Sequence, residues 1–301
     1  MPSKTRQLDA YPVTHAHRRP LQMAGLLLAL GAAFAWGSGA FAQQSPVAGA
    51  AQADSAALDQ ALAGDWRSSA NRARDVYRHP KATLEFFDVR PDQTVIEITP
   101  GGGWYSEVLA PLLRDHGHYI AAVASAPKDR EAQRDESSLK RKFLSDPAQY
   151  ANAAIREFDP KKPAFGPADS ADRVLTFRNV HNWMGAGTAP AMFKAFFAVL
   201  KPGGVLGVVD HRAAKGATLE TIKGSGYLPT DYVVKLATDA GFELAASSEI
   251  NANPKDTKDY AKGVWTLPPT YTLGAQDRAK YAAIGESDRM TLRFVKPATP
   301  R

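Results

Sequence analysis

Apolar and polar residues along most of the chain follow two alternating rhythms. Short apolar runs at 94–98, 119–123, 154–158, 173–177 and 205–209 read as strands. Between them apolar residues recur at helical spacing. Tyr105, Val108, Leu109, Leu112 and Leu113 form one such stripe, and Lys128 to Leu144 and Ala191 to Leu200 supply two more helices. Strands apolar on both faces and alternating with helices predict a doubly wound α/β fold, in which a parallel sheet is covered on both sides.

The flanks depart from this rhythm. Gln43 to Asp54 is rich in Ala, Gln and Ser and reads as a flexible tail. Ser55 to Tyr77 reads as a helix and Lys81 to Val89 as a shorter one. The polar stretch Arg74-Asp75-Val76-Tyr77-Arg78-His79-Pro80 reads either as a solvated helix face stopped by proline or as a lid over the turn after the first strand. Towards the other end, Thr230 to Ala240 reads as a helix, Phe242 to Ile250 as a strand, and Asn251 to Lys262 as a long polar loop. Arg289 to Val295 alternates cleanly as a last strand. Two successive strands without the usual helical crossover imply an antiparallel closing pair. A single domain over 55–301 is expected, with its helical lid at the N-terminal end.

The first strand ends in Glu97-Ile98-Thr99-Pro100-Gly101-Gly102-Gly103 and leads straight into a helix. A strand, glycine turn and helix is how open α/β sheets bring backbone close to a nucleotide-like ligand, beyond the carboxyl ends of the strands. Glu97, Asp159, Asn179, His181, Asp210 and His211 all fall at or just past strand ends.

Charge and composition change the picture mainly at the N-terminus. The first 42 residues carry Lys4, Arg6, Arg18 and Arg19 against Asp9, an apolar stretch from Leu21 to Phe34, and Ala40-Phe41-Ala42. That order is a signal peptide cut before Gln43, with an apolar run shorter than the roughly 20 residues of a membrane span. Arg18-Arg19 in a long basic leader resembles a twin-arginine signal, and the mature chain is expected in the periplasm. Without the leader the formal charge of +6 falls to +3, and no basic stripe for nucleic acid remains. Cysteine is absent, which excludes disulfides and thiolate metal sites.

Glu97-x-Thr99-x-Gly101-x-Gly103, followed at a distance by Leu200-Lys201-Pro202-Gly203-Gly204 before a strand, resembles the class I S-adenosylmethionine-dependent methyltransferases. The segments 96–105 and 178–183 resemble a bacterial exported branch of that superfamily, and the likeness spans about Asp65 to Pro297. It implies a Rossmann-like sheet of seven strands, mostly parallel, whose last strand is antiparallel and inserted beside the fifth. It also implies S-adenosylmethionine as cofactor and a small-molecule acceptor. Glu97 would hold the cofactor ammonium, Thr99, Gly101, Gly102 and Gly103 would lie along its amino-acid end with Asn179, and Asp159 would stand near the adenine. Ser125 falls where the family places an acid for the ribose hydroxyls, and Thr99 where it places the first glycine.

Methyl transfer to a protonated nucleophile needs a base, and His181 and His211 are the candidates. No H-x-x-x-H or H-x-H spacing supports a metal bound by them with Asp210, so none is expected. Trp104, Tyr105 and Trp183 are candidate walls of an acceptor pocket, whereas His116 and His118 read as surface residues. Two other readings stay open. Gly101-x-Gly103-x-x-Ser106 loosely echoes the dinucleotide fingerprint of NAD(P) enzymes, and the absent strand-two acid fits a non-catalytic, ligand-binding descendant.

Overall fold

The structure, a computed structural model, describes residues 46–125 and 130–298. The leader read as an export signal lies outside the described residues. Four helices come first: α1 (Pro46–Ala63), α2 (Ser69–Arg72), α3 (Asp75–Arg78) and α4 (Pro80–Phe86). Then follow β1 (Thr94–Ile98), α5 (Ser106–Leu113), β2 (His118–Ala124), α6 (Arg130–Ser145), α7 (Pro147–Tyr150), β3 (Ala153–Phe158) and β4 (Ala171–Phe177). The rest is α8 (Val180–Gly185), α9 (Ala189–Val199), β5 (Leu200–His211), α10 (Thr230–Asp239), β6 (Glu243–Ser248), α11 (Arg278–Ile284) and β7 (Arg289–Val295).

The seven strands form one sheet in the order β3-β2-β1-β4-β5-β7-β6. β1 to β5 are parallel, and β7 is inserted antiparallel between β5 and β6. The strand pattern explains why both faces are covered. Side chains alternate across a strand, so Val95 and Leu175 face one layer while Ile96 and Val174 face the other. The first layer buries Leu58 of α1, Leu84 of α4 and Val108 and Leu109 of α5. The second buries Phe193 and Phe196 of α9 and Leu236 of α10. Burying one such side chain contributes about 1.5–3 kcal/mol, which is why the two-sided apolar pattern dictates this architecture.

The expected helix over 55–77 is corrected to three pieces. α1 begins at Pro46, inside the stretch read from composition as a tail, and stops before Gly64, over which the Trp66 ring folds back. Ser68 opens α2, its Oγ accepting from Asn71 N at 3.2 Å, and Pro80 opens α4 after His79, a residue at φ 41°. Lys201-Pro202-Gly203-Gly204, which falls before the fifth apolar run in the sequence, is a bulged start of β5: Gly203 N donates to Lys296 O and Lys296 N to Gly204 O. Among the described residues no helix is long and apolar enough to cross a membrane.

Candidate active site

The strand order reverses between β1 and β4, and at such a switch point the loops diverge and leave a crevice beyond the carboxyl ends. A cavity of about 760 Å³ opens there. Its floor is the turn after β1, where Thr99, Gly101 and Gly103 adopt φ of 52°, 60° and 83°. Glycine takes such angles freely, but a β-branched threonine does so only under strain. Thr99, Gly101 and Gly102 line the cavity. Gly103 does not: a Cβ there would stand 2.8 Å from Leu139 Cδ1, so this glycine lets α6 close over the turn.

Glu97 ends β1 with its side chain at the cavity. Its Oε2 accepts from Tyr119 Oη at 2.6 Å and more weakly from Ser106 Oγ at 3.4 Å, while Oε1 has no protein donor among the described residues. Burial raises its pKa from an ordinary 4.5 to about 7, against the pull of those two hydroxyls and of Lys142 and Arg78. Asn179 also lines the cavity, but its side-chain amide donates to Ile98 O at 3.0 Å and Thr176 Oγ1 at 3.2 Å, pinning β1 to β4.

The two histidines meet. Their ring centroids are 5.2 Å apart and both rings line the cavity. Asp210, fully buried at the end of β5, accepts from Val180 N and His211 N at 2.7 Å each and faces His181 Nδ1 at 3.0 Å. The proton in that last bond sits on His181, because Asp210 already receives two backbone N–H groups. His181 Nε2 is left as an acceptor. His211 Nδ1 pairs with Ser287 Oγ at 2.5 Å. Burial, then the neighbouring His181, Arg178, Arg289 and Arg78, push His211 well below the usual histidine value and keep it neutral. Donor atoms of His181, Asp210 and His211 lie within 4.8 Å of one another, a metal-like grouping that chain spacing did not disclose. Protein hydrogen bonds engage Asp210 and the Nδ1 atom of each histidine.

Other expected site residues lie elsewhere. Asp159 is exposed and its Oδ1 accepts from Lys161 N at 2.9 Å, so it caps its own turn. Ser125 is half-buried beyond the strand-two tip, and Val123 and Ala124 are the β2 residues that line the cavity. Of the three aromatics, only Tyr105 is a wall, stacked on Phe177 at 3.7 Å between centroids. Trp104 turns into the core beneath Arg78, 4.6 Å from its ring, and donates Nε1 to Asn71 O. Trp183 packs on Phe196 in the other layer. His116 and His118 are exposed, as expected.

The lid alternative for 74–80 anticipated Arg74 and Arg78 at the cavity, but the charged wall they form with Arg178, Glu286 and Ser287 was not foreseen. Arg74 and Arg78 from α3 and its approach, Arg178 after β4, and Glu286 and Ser287 before β7 all line the cavity. β7 runs antiparallel, so its beginning lies at the carboxyl edge of the parallel strands, with Arg289 paired to His211. An antiparallel last strand preceded by Glu286-Ser287-Asp288-Arg289 was the signal that pointed to it.

No protein-family model matches the chain, and no curated protein matches it by sequence. Solved structures do match by shape. The [4+2]-cyclase SpnF superposes with a TM-score of 0.52 at 15% identity over 79% of this chain and 86% of its own. A putative sarcosine dimethylglycine methyltransferase from Galdieria sulphuraria gives 0.51 at 12% over 75% and 87%. A SAM-dependent methyltransferase from Aquifex aeolicus gives 0.50 at 14% over 81% and 98%. The fold is that of the class I S-adenosylmethionine-dependent methyltransferases. At these identities the likeness speaks for the fold alone, and one of the three matches is named as a cyclase.

Proposed function

We propose that the protein is an exported S-adenosylmethionine-dependent methyltransferase acting on a small-molecule acceptor. The observation that carries the reading is Glu97: a buried carboxylate with one oxygen that has no donor among the described residues, set beside a backbone turn bare of large side chains at the sheet's switch point. Lys142 and Arg78 act on it without a hydrogen bond; a buried carboxylate with no directly bonded cation is costly, and an amino-acid ammonium is a group that fits it. Thr99, Gly101 and Gly102 would lie along the amino-acid end, and Val123 and Ala124 would wall the adenosine.

S-adenosylmethionine supplies a methyl group activated on a sulfonium, open to in-line displacement. The protein's work is then positioning and one proton. His181 Nε2 takes the proton of the acceptor's nucleophile, and Asp210 fixes the ring and stabilises the charge it gains. His211, held neutral, adds no positive charge beside that base.

One observation favours a second reading. The strand-two tip carries no acid for the ribose: Ser125 stands at the expected position, only Val123 and Ala124 of β2 reach the cavity, and a charge-assisted hydrogen bond is lost. A ligand-binding protein without turnover would tolerate that loss. Calorimetry on the mature protein with S-adenosylmethionine, S-adenosylhomocysteine and NADP separates the readings. Saturable binding of the first two alone, lost in Glu97→Gln, is the expected result, and heat from NADP alone or from none of them sinks the proposal. Export is tested by fractionating native cells and sequencing the mature N-terminus, expected to start at Gln43; a chain retaining Met1 in the cytoplasm overturns it.

A further inference from the structure

Four guanidinium groups, those of Arg74, Arg78, Arg178 and Arg289, surround the single carboxylate of Glu286 at one end of the cavity. Three of them donate to it: Arg74 Nε at 2.7 Å, Arg78 Nε at 3.3 Å and Arg289 Nη2 at 2.7 Å. Arg178 donates to no side chain among the described residues. Its backbone sits at φ 65°, it lines the cavity, and burial pulls its guanidinium down to about 10. Arg78 is only 3% exposed, yet its Nη2 makes no hydrogen bond to protein, and neither does the buried Nη2 of Arg74.

Buried charge without a partner is expensive, so an excess of cations beside a cavity calls for an anion in it. S-adenosylmethionine as a whole does not neutralise the site, although its carboxylate alone could face a guanidinium, an arrangement the test below separates. Its sulfonium and ammonium outweigh its carboxylate, and it adds positive charge to the site. Guanidinium forks suit planar or tetrahedral oxyanions, which they hold through paired N–H donors.

We infer that the acceptor is a small anion, a carboxylate or phosphate ester, seated with its charge on Arg178, where the uncompensated charge of the Arg74–Arg78–Glu286 wall meets the cavity. This deepens the methyltransferase reading and rests on it. The anion anchors one end of the acceptor at the Glu286 wall, and the nucleophile lies towards His181 and the glycine turn, which line the same cavity.

The test uses the mature protein loaded with S-adenosylhomocysteine and probes it with acetate and inorganic phosphate against chloride at matched ionic strength. At least one oxyanion should raise the melting temperature saturably, where chloride does not. Arg178→Met should weaken that anion's binding about tenfold or more, the usual loss of a charged hydrogen bond, and leave S-adenosylhomocysteine affinity within about twofold. Arg178→Lys should keep part of the effect. An equal response to all three salts overturns the inference. So does an Arg178→Met variant that loses S-adenosylhomocysteine and keeps the anion, because the arginines would then serve the cofactor's own carboxylate. Silence towards S-adenosylhomocysteine with anion binding intact would sink the methyltransferase reading and the acceptor role, and leave an anion-binding cavity.

Discussion

Asp210 holds His181 by a 3.0 Å contact from Oδ1 to Nδ1, and it does so with no exposure of its own. The carboxylate accepts two backbone N–H groups besides, at the start of α8 and at the end of β5. It therefore ties the loop after β4 to the tip of β5 and sets the ring's tautomer in one stroke. Asp210→Asn places an NH2 against one of those N–H donors. The expected cost is roughly 1–3 kcal/mol, the penalty of an unmet buried polar group, read from urea denaturation. Methyl transfer should fall roughly 100- to 10,000-fold, the usual share of general-base catalysis, with S-adenosylhomocysteine affinity unchanged. A variant of wild-type stability would show that the carboxylate is not bonded as described.

Glu97 makes cofactor binding a proton-linked event. Its pKa of about 7 in the free protein lies above the ordinary 4.5, so an arriving ammonium favours the ionised form and expels a proton. Affinity for S-adenosylhomocysteine should therefore weaken as pH falls below 7, with proton release measurable by calorimetry in buffers of different ionisation enthalpy. The stability sign is opposite. Between the two values the folded state holds a proton that the unfolded chain has lost, so stability falls as pH rises and the penalty is complete above about 7. At pH 8 Glu97→Gln should be more stable than wild type by roughly 1–3 kcal/mol, while losing the ligand. Equal melting curves across this range would dispose of the buried-acid argument.

The parallel strands and the glycine turn were legible because short runs apolar on both faces and a glycine-rich loop leave strong local signals, whereas the place of the last strand came from the family resemblance. Glu97, Thr99, Gly101, Gly102, Asn179, His181 and His211 do line one cavity. What escaped depends on direction and distance. Asp159 sits past a strand end like the others, but β3 is the sheet's edge and its turn faces water. Trp104 follows the glycines directly, yet the helical start turns its ring towards Asn71 and Arg78 rather than into the hollow. Glu286 comes from a segment that only an antiparallel return brings to this edge. Helix breaks after Ala63 and between Arg72 and Asp75 were hidden because the helical pattern read over 55–77 runs through them.

Thr99 is a strained residue where a glycine would be at ease. Its φ of 52° puts a β-branched side chain in the left-handed region, at a cost of about 1–2 kcal/mol. Glycine relieves this but loses roughly 0.5–1 kcal/mol to the freedom of the unfolded chain. Thr99→Gly should thus stabilise the protein by about 0.5–1 kcal/mol, raising the urea midpoint at constant slope. It should leave ligand affinity the same or higher, because removing Cβ only opens the floor of the hollow. A destabilised variant would mean that the threonine side chain makes a contact worth more than the strain.

Glu286 and Arg178 should respond in opposite senses, and that opposition measures the excess of charge at the cavity wall. Although burial alone would raise it, Arg289, Arg78, Arg178 and Arg74 hold the Glu286 carboxyl down at about 2. A depressed acid stabilises the fold above its ordinary value and loses that contribution as pH falls from about 4.5 towards 2. Glu286→Gln at neutral pH leaves the arginines facing one another and should cost roughly 3–5 kcal/mol, as expected for a broken buried ion pair. Arg178 makes no hydrogen bond to Glu286 among the described residues, and the cost of its burial outweighs its attraction to that carboxylate, so taking it away relieves a desolvation penalty. Arg178→Met should gain about 1 kcal/mol, a figure reduced for screening by water in the open cavity. Denaturation of both variants at low salt gives the two signs directly. If both lose stability, Arg178 is part of a balanced ion cluster, and the cavity wall is neutral rather than poised for an anion.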